Sequence, residues 1–251
     1  ILADTFVDSV AKLPAQDQKA AKTAAYDLQV NPAHPSLKLH RLDRAKNKQF
    51  WSVRAGRDLR LIVHRSEEAM VLCYADHHDR AYAWAERRRL EHHPTTGAAQ
   101  LVEIRETVEE IVVPHYVEHQ AESASALGTP SDRPSIAPCE SRSEEELLSY
   151  GIPADWIEDV RTADEDRLLA IAERLPPDAS EAVLTLAAGG TPRHGTRPDA
   201  DTVGFDHPDS QRAFRVIHGS EELERALEFP WERWIVFLHP DQRGIVEDSF
   251  S

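Results

Sequence analysis

Residues 49–84 read QFWSVRAGRDLRLIVHRSEEAMVLCYADHHDRAYAW, and they hold three apolar runs of strand length. The first, residues 50–55, ends at Gly56-Arg57-Asp58, a composition suited to a tight turn. The second, residues 59–64, sets Leu59, Leu61 and Val63 on one face and Arg60, Ile62 and His64 on the other. The third, residues 70–74, alternates Met70, Leu72 and Tyr74 against Val71 and Cys73. Connections this short make neighbouring strands antiparallel, so the stretch predicts a meander. Asp76-His77-His78-Asp79 follows, and then a helix-like run with Tyr82 and Trp84. One sheet face is expected to be apolar and the other to carry arginines. The arginine face is the expected functional surface.

Upstream of the meander, Phe6, Val10 and Leu13 recur at helical spacing before Pro14 and predict a helix over 4–13. Ala21, Ala24 and Leu28 line one face of a second helix over 17–30, which Asn31-Pro32 stops. Alanine on that face allows close packing against a sheet. Leu37 and Leu39 suggest a first strand. Downstream, a helix over about 79–91 is expected to end in Glu86-Arg87-Arg88-Arg89. The fold class is therefore α+β: an antiparallel sheet packed on two N-terminal helices.

The 251 residues suit two or three domains, and the formal net charge of -15 is unevenly placed. Residues 1–93 carry +4 and residues 94–251 carry -19. Only the first part suits an anionic partner. Cys73 and Cys139 form no disulfide framework, so a reduced, cytoplasmic protein is expected. No apolar run reaches the roughly 18 residues that a membrane span needs, so no membrane partner is expected. The first residue is Ile1 rather than Met, which suggests a processed or trimmed product.

The element order, with VRAGRDLRLIV and HHDRAYAWA, resembles the RelE/ParE toxin superfamily over residues 1 to about 91. The double-histidine ending looks like the version at the N-terminus of certain UvrD-like helicases. Near the other end, Leu238-x-Pro240-x-Gln242-Arg243 resembles the glutamine motif of superfamily 1 helicases of the UvrD/Rep kind. That resemblance implies a role for Gln242 in reading the adenine of ATP. No G-x-x-x-x-G-K-[ST] occurs in the sequence, so this chain alone is not expected to hydrolyse ATP. ATP and Mg would belong to the intact helicase.

Between these ends, Leu101, Ile104, Val108 and Ile111 fall at helical spacing, with helix or strand left open after Val112-Val113-Pro114. Residues 119–142 are rich in Ser, Ala, Pro and Glu and read as a linker. Residues 143–189 read as a small, mostly helical module, with capping boxes at Ser143/Glu146 and Thr162/Glu165. Its expected core is Leu147, Leu148, Trp156, Ile157, Leu168, Leu169, Ile171, Leu175, Val183 and Leu184. Residues 190–210 read as a second linker. Residues 211–251 read as the lead-in to a motor: a strand over 214–217, a helix over 220–227 and an aromatic run from Pro230.

The expected divisions are thus 1–93, 94–142, 143–189, 190–210 and 211–251. For nucleic acid the candidates are Lys38, Arg41, Arg44, Lys46, Lys48, Arg54 and Arg60, cations that neutralise phosphates and read few bases. DNA is expected ahead of RNA. If the first part cleaves messenger RNA as the toxin resemblance implies, Arg60, Tyr82 and His78 are the catalytic candidates. A base, cations for the phosphorane charge and an acid are what that reaction needs. The alternative role of Arg60 is pairing with Asp76 or Asp79. Adjacent histidines on a turn diverge, so no metal site is expected at 76–79.

Overall fold

The computed structural model describes residues 1–67, 69–107, 137–195 and 204–228. These form two compact units, one of 1–104 with the described part of 195–251, the other within 105–194. The division expected at residue 93 thus falls after Ile104 instead. The expected glutamine motif with Gln242, the aromatic run, most of the first linker, and Val108 and Ile111 lie outside the described residues.

The first unit is α+β, built on a six-stranded mixed sheet. In chain order its elements begin with β1 (Leu2–Ala3), α1 (Asp4–Ala11), α2 (Ala15–Val30) and β2 (His40–Arg41). The meander follows as β3 (Phe50–Arg54), β4 (Leu59–Arg65) and β5 (Met70–His77). Then come α3 (His78–Glu86), β6 (Arg88–His92) and β7 (Ala99–Glu103). After the second unit the chain returns with β8 (Phe214–Arg215) and α8 (Ser220–Glu228). The strand order is β2-β3-β4-β5-β1-β8. The antiparallel meander is as expected. The sheet nevertheless gains β1, parallel to β5, and β8, antiparallel to β1. The strand expected over 214–217 is β8, shortened to Phe214–Arg215, whereas β1 was not expected, because a strand of two residues has no periodicity to read.

The apolar face of β3–β5 packs on α1 and α2 as predicted. Leu59, Leu61, Val63 and Val53 meet Phe6, Val10, Ala21, Ala24 and Leu28 in one core. Leu37 plugs the same core from a short 3-10 turn, Pro35–Leu37, so the first strand starts later than expected, at His40.

The opposite face corrects the expectation more strongly. It is a second apolar core, not an open cationic surface. Phe50, Ile62, Val71 and Cys73 are covered by Ala81, Trp84 and Ala85 of α3, by Ala99 of β7, and by Phe214. The cover includes β6 and β7, which pair in full register from Arg88↔Glu103 to His92↔Ala99. The helix expected to continue to residue 91 stops at Glu86, and Leu101 lies on a strand rather than a helix. The cause is the turn at 93–97. Gly97 takes a left-handed φ of 74°, and His93 Nδ1 accepts from the Thr95 and Thr96 amides at 3.3 and 3.2 Å. The arginine run is absorbed locally. Arg88 lies 5.0 Å over Trp84 and pairs with Glu103 at 3.4 Å, and Arg89 pairs with Glu91 at 2.5 Å.

A bulge decides one further side chain. The β4–β5 register slips between Ile62 and Val63, so Ile62 faces Tyr74 while Val63 faces Leu72. Cys73 is the extra residue. The slip turns Tyr74 away from the Met70/Leu72 face on which alternation placed it. It stacks instead on Trp84, centroids 4.7 Å apart and planes 6° apart. His64 sits deep in this second core, 4% exposed, edge-on to Phe50 at 5.6 Å. Neither of its ring nitrogens has a hydrogen-bond partner, and the Ser52 hydroxyl likewise has none.

Residues 204–210, expected to be linker, also belong to this unit. His207 is fully buried. Ser210 Oγ donates to the Gly204 carbonyl at 2.6 Å and accepts from the Ala99 amide at 2.8 Å. The bond from Ala99 spans 111 positions of the chain, beyond any local pattern.

The second unit is helical: α4 (Glu144–Ser149), α5 (Ile157–Thr162), α6 (Glu165–Ala172) and α7 (Pro177–Ala187). Ser143 caps α4 through the Glu146 amide as predicted. The cap of α6 is Asp164, accepting from the Arg167 amide at 2.8 Å, and not Thr162, whose hydroxyl donates back to the Glu158 carbonyl. Leu147, Trp156, Leu168, Ile171 and Val183 are buried, while Leu169 and Leu184 are 47% and 43% exposed. Asp159 is clamped by Arg105 at 2.5 Å and Arg167 at 3.2 Å. Burial works against its charge, but the two guanidiniums hold the carboxyl below its usual range. No helix among the described residues is long and apolar enough to cross a membrane.

Candidate nucleic-acid interface

The basic run begins where the chain leaves α2. Lys38 follows the 3-10 turn in the left-handed region, φ 43°, an uncommon state for a residue with a Cβ. His40 and Arg41 form the edge strand β2 on β3. Beyond them Leu42 and Ala45, 6% and 0% exposed, insert into the second core. Arg41, Arg44, Lys46 and Lys48 lie before, between and after these anchors and are exposed. Side chains and backbone brace the loop: Arg41 Nε donates to the Lys48 carbonyl at 2.6 Å, and Lys48 Nζ to the Asp43 carbonyl at 2.7 Å. Asn47 ties it to the Leu90 carbonyl at 3.3 Å. The result is a rigidly seated cationic loop, with Asp43 the one carboxylate in its sequence. Five of the seven predicted nucleic-acid residues therefore lie on one short stretch.

Arg54 and Arg60 are separate from that loop. They face each other across β3 and β4, and Asp76 stands opposite Arg60 on β5. Alternation puts this row on the α3 side of the sheet, next to the row His40–Ser52–Ile62–Tyr74. Both guanidiniums are half-buried, and each bonds its own hairpin end: Arg54 Nε to the Gly56 carbonyl at 2.8 Å, Arg60 Nη1 to the Leu59 carbonyl at 2.9 Å. No ion pair joins Arg60 to Asp76 or Asp79 among the described residues. Asp76 accepts instead from the His77 amide at 2.7 Å and the Tyr74 hydroxyl at 3.3 Å, and Asp79 pairs with His78 at 2.9 Å.

The three catalytic candidates are only partly united. His78 and Tyr82 lie one turn apart on α3, rings 4.1 Å apart. Tyr82 has a partner that its sequence position does not reveal: His40 Nε2, 2.9 Å from the hydroxyl. His40 Nδ1 lies 2.8 Å from the Lys38 carbonyl, which can only accept. The proton of the neutral ring is therefore on Nδ1, and Tyr82 donates to Nε2. This couple spans 42 positions, and only β2 pairing brings it together. His77 pairs with Asp58 at 3.2 Å, and the His78 amide donates to the Asp58 carbonyl at 3.0 Å, so the double histidine pins the strand-to-helix junction. No cluster of three metal-ligating side chains exists among the described residues.

Of the two thiols, Cys73 is fully buried, and burial pushes it up to about 12, far from nucleophilic use. No protein-family model, curated protein or solved structure matches this chain.

Proposed function

We propose that the first unit is a nucleic-acid-docking, non-motor region of a UvrD/Rep-like, ATP-dependent DNA helicase, on a RelE/ParE-like α+β frame. The observation that carries docking is the loop 41–48. Its cations are exposed, while Leu42 and Ala45 fix their positions from inside the core. Such a surface neutralises phosphates without reading bases, and its affinity falls steeply with salt. The helix pair followed by the meander supports the RelE/ParE-like frame, and Leu238-x-Pro240-x-Gln242-Arg243 supports the helicase. ATP and magnesium would be held by the motor of the same polypeptide, with Gln242 reading the adenine. DNA is the partner ahead of RNA, and the location is cytoplasmic.

Two measurements test this. The reading frame past residue 251 should encode a phosphate-binding loop within a few tens of residues. Exchanging Arg41, Arg44 and Lys48 for glutamine should weaken DNA binding by about tenfold or more at low salt and flatten its salt dependence. A frame with no such loop refutes the helicase. Unchanged binding in the triple variant refutes the docking surface.

The Tyr82–His40 hydrogen bond, one row from Arg54 and Arg60, favours a second reading as a RelE-type messenger-RNA endonuclease. Expression of the whole chain should then arrest growth, and Arg60→Ala or Tyr82→Phe should relieve it. Growth without arrest refutes that reading. A third reading, an interaction module without catalysis, rests on the +4/-19 charge split.

A further inference from the structure

We propose that Trp51, Lys38 and Arg65 form a subsite for one nucleotide of a single-stranded nucleic acid. The base would stack on the indole, and its phosphates would go to the two cations. This rests on the docking reading above and adds a place where a base is held, on the α1/α2 side of the sheet and away from Tyr82.

The site is a concavity of about 420 Å³ lined by Pro32, His34, Lys38, Leu39, Trp51 and Arg65 among others. No carboxylate lines it. Trp51 and Val53 lie on the same face of β3, yet Val53 is fully buried and Trp51 only half-buried. The reason is where α2 stops. Asn31-Pro32 ends the helix after Val30, and the chain at 32–35 lines the concavity together with the indole. A large aromatic side chain is thus left at a sheet end with its packing incomplete.

The cations beside it are not neutralised by an acid among the described residues. Arg65, two residues beyond the cross-strand partner of Trp51, holds its guanidinium 5.4 Å over the ring. Apart from that ring contact, neither this guanidinium nor the Lys38 ammonium has a carboxylate partner among the described residues. Arg88, Arg89, Arg105 and Arg142, in contrast, all have carboxylate partners. Lys38 is held in its left-handed turn by the 3-10 turn before it and by the His40 bond to its carbonyl. Strain of this kind at an exposed lysine is an arrangement found at ligand sites. An aromatic face flanked by two cations, with no carboxylate in the lining, is the chemistry that takes a base and its phosphates. A duplex cannot use it, because its bases are already stacked and paired.

The test is fluorescence anisotropy of labelled oligothymidylate and oligouridylate of about 12 nucleotides, and of a duplex of the same length, with the whole chain. Trp51→Leu should weaken both single strands about tenfold or more, while Trp51→Phe stays close to wild type. Duplex binding through the loop 41–48 should be unchanged. Lys38→Gln and Arg65→Gln should each reduce the salt slope for single strands by roughly 0.7. The thymidylate and uridylate arms separate DNA from RNA as the source of the base. Equal affinity of wild type and Trp51→Leu for single strands, or equal losses in the Leu and Phe variants, overturns the subsite and leaves phosphate docking intact. A wild-type chain that binds none of the three probes overturns docking and subsite together.

Discussion

Replacing His64 with Phe should change the pH dependence of stability more than stability itself. His64 is 4% exposed, and burial, helped by the nearby His92, lowers its pKa from 6.5 to about 4. The unfolded chain takes up this proton near pH 6.5, whereas the folded protein takes it up only near pH 4. Between those values the unfolded state binds more protons, so stability is lost as pH falls. At 1.36 kcal/mol per unit, the loss by pH 4 is about 3 kcal/mol. Asp4 acts in the opposite sense. Burial raises it from 3.8 to about 7, so its contribution is lost as pH rises through that range. The two slopes offset each other in the wild type, and only a variant separates them. Phe preserves the edge-on contact with Phe50 and removes two unpartnered nitrogens. Stability is measured by urea unfolding followed at the Leu61 and Ile62 methyl resonances, which report on this sheet. The His64→Phe advantage over wild type should be constant above about pH 7.5 and larger by about 3 kcal/mol at pH 4. A difference that does not vary with pH refutes the reasoning.

Asp4→Asn should stabilise the first unit above pH 7, by up to about 4 kcal/mol, and have no effect below pH 4, as read by the same urea titrations. In the second unit, Leu168→Ala should cost about 2–5 kcal/mol in thermal or urea unfolding, and Leu169→Ala under about 1, because only the first side chain is buried. Asp164→Ala should cost about 1 kcal/mol through loss of the α6 cap, and Thr162→Ala clearly less, since its hydroxyl serves only the Glu158 carbonyl. Arg105→Ala leaves the largely buried Asp159 carboxylate with Arg167 alone, so the Asp159 pKa should rise, which a carboxyl-carbon NMR titration would record.

The residues themselves determined the local elements. Alternation of Leu59, Leu61 and Val63 and the alanine stripe Ala21/Ala24 suffice to define the first core, because a strand's period of two and a helix's of 3.6 are written in neighbouring positions. Ser143 is legible as a cap for the same reason, since its acceptor and the amide it serves lie three residues apart. The tertiary structure decided everything that needs a distant partner. β1 is two residues long and exists only by pairing with β5 and β8, and the strand expected over 214–217 keeps only the two residues that pair with β1. The bulge at Cys73 moved Tyr74 across the sheet, and alternation has no symbol for an inserted residue. The arginines of β6 looked like the end of a helix until β7 supplied Glu103 and a hairpin. Tyr82 met His40, and Trp51 was left only half-buried, because of where β2 pairs and where α2 stops. Composition located a basic loop, but only packing could show which of its neighbours remain free to meet a ligand.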